Sequence, residues 1–118
     1  MKICVCGNKF GFGNLVKSIL HEFPVDFVEK PKHIGKGYDF VFVLGENNQL
    51  KEKRQEFCME NGKNSNIAYI DYSGNGSIDT EQRRNYWERK GVKYFSGKNL
   101  DVHELIGYLE KKELQKNN

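Results

Sequence analysis

Short apolar runs alternating with amphipathic helical stretches predict an α/β domain on a parallel sheet. Two observations carry that reading. Lys2–Cys6 (KICVC) and Phe40–Leu44 (FVFVL) are almost wholly apolar, as strands buried on both faces are. Glycine and polar residues bound such runs, and apolar residues at helical spacing recur between them.

Taken in order, Lys2–Cys6 is the first strand, and Asn14–Phe23 the first helix. Leu15, Ile19 and Phe23 recur every fourth position, with Val16 and Leu20 beside them, and Pro24 ends the helix. Val25–Val28 (VDFV) is the second strand. Only Glu29–Asp39 separates it from the third, Phe40–Leu44. That segment is broken by Pro31, Gly35 and Gly37 and is short for a parallel crossover. A tight loop with one helical turn is expected there, leaving the sheet thinly covered near strands one and two. An uncovered apolar face finds a partner, so a homodimer is expected.

Asn48–Asn61 is the next helix, with Leu50, Phe57 and Cys58 on one face and Gly62 as its stop. Ile67–Ile70 (IAYI) is the fourth strand. Asp79–Lys90 opens with the capping-box pattern Asp-Thr-Glu-Gln and ends at Gly91. Val92–Phe95 (VKYF) is the fifth strand. Leu100–Lys112 then sets Val102, Leu105, Ile106 and Leu109 at helical spacing. One domain over 1–112 is expected, with 113–118 as a frayed tail. Five strands in this alternation favour a Rossmann-like or flavodoxin-like three-layer sandwich, strand order 2-1-3-4-5.

Composition narrows the function classes. A net charge of +3 is mildly basic, short of a dedicated nucleic-acid binder. No apolar run approaches a membrane span. Three cysteines, an odd number, argue against a disulfide framework and for the cytoplasm. His21, His33 and His103 are isolated, and no Cys/His metal set occurs.

Ligands of open parallel sheets sit beyond the carboxyl ends of the strands. Here those ends are rich in small and polar residues: Gly7–Gly13, Gly45–Asn48, Ser73–Ser77 and Ser96–Asn99. Gly7, Gly11 and Gly13 let backbone amides approach an anion, and the helix starting at Asn14 adds unpaired N–H groups. A nucleotide or other phosphate-bearing small molecule is therefore expected on Gly7, Asn8, Lys9, Gly11, Gly13 and Asn14, with Lys98 adding charge. Tyr72, followed by Ser73 and Gly74, could stack on a planar ring. Glu46 and Asp71 are the acids placed at that edge, candidates for a general base or a ribose contact. Equally open is that glycine and asparagine simply make turns. Whether a reaction is catalysed is not legible.

Gly7-x-x-x-Gly11-x-Gly13, with Glu29 at the end of strand two, resembles the nucleotide loop of short-chain dehydrogenases over the first thirty residues. The resemblance implies a dinucleotide, with Glu29 on the ribose. Cys6 stands where that family commonly has threonine, and the chain is under half the usual length. Cys6, between a strand and a glycine loop, also resembles the phosphate-carrying cysteine of sugar phosphotransferase IIB proteins. That resemblance implies a phosphoryl-carrier or thiol-dependent enzyme, although Asn8, Lys9 and Phe10 replace the expected hydroxyl donors. A response-regulator receiver would carry acids after strand one and an aspartate ending strand three, where this chain has Gly7-Asn8 and Leu44-Gly45. The third alternative is a non-catalytic interaction module that uses an exposed face or the basic Asp79–Lys90 helix.

Overall fold

A computed structural model of the chain describes residues 2–63, 66–72, 77–98 and 100–116. Five parallel strands form one sheet: β1 Ile3–Cys6, β2 Val25–Val28, β3 Phe40–Gly45, β4 Ile67–Asp71 and β5 Lys93–Ser96. Their order is β2-β1-β3-β4-β5. Four helices connect or follow them: α1 Phe12–Ile19, α2 Lys51–Asn61, α3 Ser77–Glu88 and α4 Val102–Lys116. This is a flavodoxin-like single domain, with strand order as expected.

Side chains alternate across the strands and split the core in two. Ile3, Val5, Phe42, Leu44, Ile70 and Phe95 pack with Val16 and Leu20 of α1 and with Leu105 and Leu109 of α4. Cys4, Cys6, Val43, Tyr69 and Tyr94 face the other way, onto Cys58 of α2 and Trp87 of α3. The register that pairs Cys6 with both Val28 and Val43 brings the loops after β1, β2 and β3 together. Because β1 lies between β2 and β3, that cluster sits at the switch point of the sheet.

Several local expectations are corrected. The buried face of α1 is Val16 with Leu20, and Leu15 stands 49% exposed. Ile19 and Phe23, in line with Leu15, are partly buried against the same core, so of that stripe only Leu15 is turned out. On α2 the fully buried pair is Arg54 and Cys58, while Leu50 and Phe57 are half-buried. α2 ends at Asn61 with Gly62 next, as expected, but Gly62 keeps helical φ −58°, and it is glycine because a Cβ there would meet the Lys90 carbonyl at 2.7 Å. The left-handed stop is Gly91, at φ +83°. α3 begins at Ser77, which puts Asp79 in its first turn rather than before it. α4 continues to Lys116, four residues past the expected end, and its Val102 is exposed.

Between β2 and β3 lies a single 3-10 turn, Pro31–His33, as the short connection required. The sheet there is not left open. Ile34 and Tyr38 pack over the cysteine side together with Val28 and Phe57, and Cys4 has no exposure. Tyr38 is fixed by donating to Asp26 Oδ2 at 2.8 Å. The physical motive for a homodimer on this face is thereby removed.

Candidate functional site

The glycine loop does lie at the carboxyl rim, but the amides of Gly7, Asn8, Phe10, Gly11 and Gly13 are bonded within the chain. Gly7 N–H donates to the Val28 carbonyl at 2.9 Å, and Asn8 N–H to Glu46 Oε1 at 2.7 Å. Phe10 N–H donates to Asn8 Oδ1 at 3.0 Å. Gly11 and Gly13 both donate to the Asn8 carbonyl, at 3.2 and 3.1 Å, and Asn14 donates to the Gly11 carbonyl. No glycine of this loop has positive φ. The glycines answer to packing instead. A Cβ on Gly7 would run into Leu44, one on Gly13 would lie 2.5 Å from the Asn8 oxygen, and one on Gly11 would lie 3.2 Å from Glu46 Oε2.

One amide expected for a phosphate, that of Asn8, is therefore taken by a carboxylate. Glu46 is 7% exposed and follows β3, beside β1 in the sheet. Its charge is met by Arg54, 1% exposed, whose Nη1 donates to Glu46 Oε1 at 3.3 Å. Arg54 Nε and Nη2 donate to the Glu29 carbonyl at 3.2 and 2.9 Å. The useful atom of Glu29 is thus its main-chain oxygen, and its side chain is exposed. Arg54 ties three loops into one network, and a second anion here would meet the Glu46 charge.

Cys6 lies beneath this network with no exposure, its thiol donating to the Glu29 carbonyl at 3.6 Å. Burial pushes the thiol up to about 11, against the opposing pull of Arg54. That is the reverse of the stabilised thiolate that phosphoryl or thiol chemistry needs. Cys4 is pushed up to about 11 by burial, with the neighbouring Cys6 next, and Cys58 is raised further by burial. All three behave as core residues.

Tyr72 does stack, on the chain's own Phe12: the ring centroids are 3.7 Å apart and the planes 16° apart. A Cβ on Gly97 would run into the same ring. A ligand ring thus finds the Tyr72 faces already covered. Its hydroxyl is buried without a hydrogen-bond partner, and burial, with Glu46 second, raises it to about 12. Asp71, 4% exposed, accepts from Arg83 Nη1 and from Tyr94 Oη, each at 2.8 Å. It holds α3 to β5 and is not a free base.

Lys9, Asn14 and Lys98 are exposed on the rim. Ser73 and Gly74 lie outside the described residues. The structure thus joins Cys6, Asn8, Glu29 and Glu46 through Arg54, and sets Tyr72 against Phe12. Asp71 belongs to a separate pair. Arg54 is the residue sequence reasoning missed. Its signal was a cation four residues from both Leu50 and Cys58, on the face expected to be apolar. Among the described residues no group of His, Cys, Asp or Glu is placed to hold a metal ion, and no helix is long and apolar enough to cross a membrane.

Three apolar side chains are exposed on the rim among the polar Lys9, Asn14 and Lys98. Phe10 is 89% exposed, Phe12 44% and Leu15 49%, all within six residues of one another.

No protein-family model and no curated protein matches the chain. Among solved structures, the chain is similar to a response regulator from Colwellia psychrerythraea. The TM-score is 0.64 at 16% sequence identity, covering 99% of this chain and 98% of that one. At that identity the likeness shows the fold alone.

Proposed function

We propose that this chain is a non-catalytic protein-interaction module, docking through the aromatic tip of the loop after β1. The observation that carries this reading is the two-sided character of that loop. Inside, the Asn8 N–H is held by the Glu46 carboxylate, and the Gly7, Gly11 and Gly13 N–H groups by main-chain carbonyls. Outside, the Phe10 ring stands in water at 89% exposure, and Phe12 and Leu15, close to it in sequence, are 44% and 49% exposed. Scattered exposed apolar residues are ordinary, but three within six residues, one of them an almost fully exposed phenylalanine, are what a partner would cover. A rigid loop carrying an aromatic side chain loses little entropy on docking and suits a hot spot.

The nucleotide reading asks for free amides and an open ring face, and here the amides of Gly7, Asn8, Gly11 and Gly13 and the Tyr72 ring are engaged by the chain itself. The thiol reading asks for an accessible thiolate, and Cys6 offers neither access nor charge.

The test places a photo-crosslinking phenylalanine derivative at position 10 in cells, identifies the captured protein and measures its binding when purified. Phe10→Ser is expected to weaken that binding about tenfold or more, as loss of an aromatic anchor does. Nucleotides, flavins and sugar phosphates are expected to leave the melting temperature unchanged. A nucleotide that raises it, with the rise abolished in Gly11→Val, would overturn the proposal.

A further inference from the structure

A second surface lies across the molecule from the loop tip, between α2 and α3. The gap there is an open groove of about 790 Å³. From α2 it is lined by Met59 and by Lys63 one turn further on. Gln82, Asn85, Tyr86 and Arg89, a single stripe of α3 and its end, line the other wall, with Lys90 beside them.

Two features mark the groove. Its floor carries Met59 at 42% exposure and Tyr86 at 46%. Its walls hold three cations and no carboxylate. Other cations of α3 and its surroundings are paired: Arg83 with Asp71, Arg84 with Glu104, Lys93 with Glu88. Among the described residues Lys63, Arg89 and Lys90 form no salt bridge. Three uncompensated charges around an apolar floor repel one another, and an acidic partner relieves that repulsion.

The geometry points to this groove as a docking site for an acidic, amphipathic protein segment, its carboxylates on Lys63, Arg89 and Lys90 and its apolar side chains over Met59 and Tyr86. This assignment rests on the reading of the chain as an interaction module, but it uses a different surface. Nucleic acid is the less suitable polyanion. Single strands bind by stacking bases on aromatic faces. The Tyr86 ring has Lys90 Nζ over it at 4.8 Å and Trp87 packed edge-on at 5.3 Å.

The probe is a fluorescein-labelled 16-residue Glu/Leu amphipathic peptide, followed by anisotropy on the full chain at low salt. Saturable binding is expected, and Lys63→Glu/Arg89→Glu is expected to weaken it about tenfold or more through like-charge juxtaposition. The matching Lys/Leu peptide should then bind the double variant and not the native chain. Both substitutions are on the surface, so an unchanged melting temperature checks folding. Phe10→Ser leaves this binding intact, which separates the groove from the loop tip. The assignment is overturned if the Glu/Leu peptide does not saturate, if charge reversal leaves its binding unchanged, or if a dT16 oligonucleotide binds the groove as tightly and displaces it.

Discussion

Replacing Arg54 by methionine is expected to destabilise the fold by about 3–5 kcal/mol, the cost of breaking a buried ion pair from one side. Methionine fills most of the arginine stem, so packing is largely kept. What is lost is the partner of Glu46, which stays 7% exposed with an uncompensated charge. The Glu29 carbonyl also loses its two guanidinium donors. Arg54→Met/Glu46→Gln should recover much of that loss. The neutral amide still accepts the Asn8 N–H and has no charge left unpaired. Urea midpoints of the two variants check this. A single variant within about 1 kcal/mol of the parent would mean that the three loops are not held through Arg54.

Gly13→Ala comes next in size, and its sign is the informative part. Alanine in place of glycine inside a solvated helix stabilises by about 0.5–1 kcal/mol. At position 13 the added Cβ meets the Asn8 carbonyl oxygen at 2.5 Å and the Phe27 ring at 3.1 Å. Either the turn opens or the Gly13 N–H bond to that carbonyl is lost. A net destabilisation of about 1–3 kcal/mol is expected from the overpacking. Gly107→Ala, in exposed α4, is the control: a Cβ there meets nothing within 4 Å, so the same substitution should stabilise. Thermal unfolding of the pair reads both signs.

Much of the fold was legible because apolar periodicity is local. Phe40–Leu44 can only be a strand buried on both faces, and β3 is buried along its whole length. The eleven residues from Glu29 to Asp39 leave room for one helical turn, and Pro31–His33 is that turn. What failed was phase and partnership. Leu15 and Val16 are adjacent, and only packing against the sheet buries Val16 and leaves Leu15 exposed.

The site was harder to read because glycine leaves a space without saying what fills it. At Gly7 the space belongs to Leu44 of β3, and at Gly13 to the Asn8 carbonyl of the same loop and the Phe27 ring of β2. Arg54 reads as one more charge on a polar helix until the Glu29 carbonyl, 25 residues away in sequence, and Glu46, on the preceding loop, are brought onto it. Tyr72 was expected to stack on a ligand ring, and the ring found stacked on it is Phe12 of the same chain.

The central claim is that the loop after β1 is closed on itself around Glu46. Backbone amide shifts of Asn8, Gly11 and Gly13, followed by NMR through a titration with inorganic phosphate and then a nucleoside diphosphate into the millimolar range, test it most directly. Closed on itself, the loop shows no saturable shift at those three amides. A saturable shift shared by all three would mean that the amides turn outward to hold an anion, and would contradict the account.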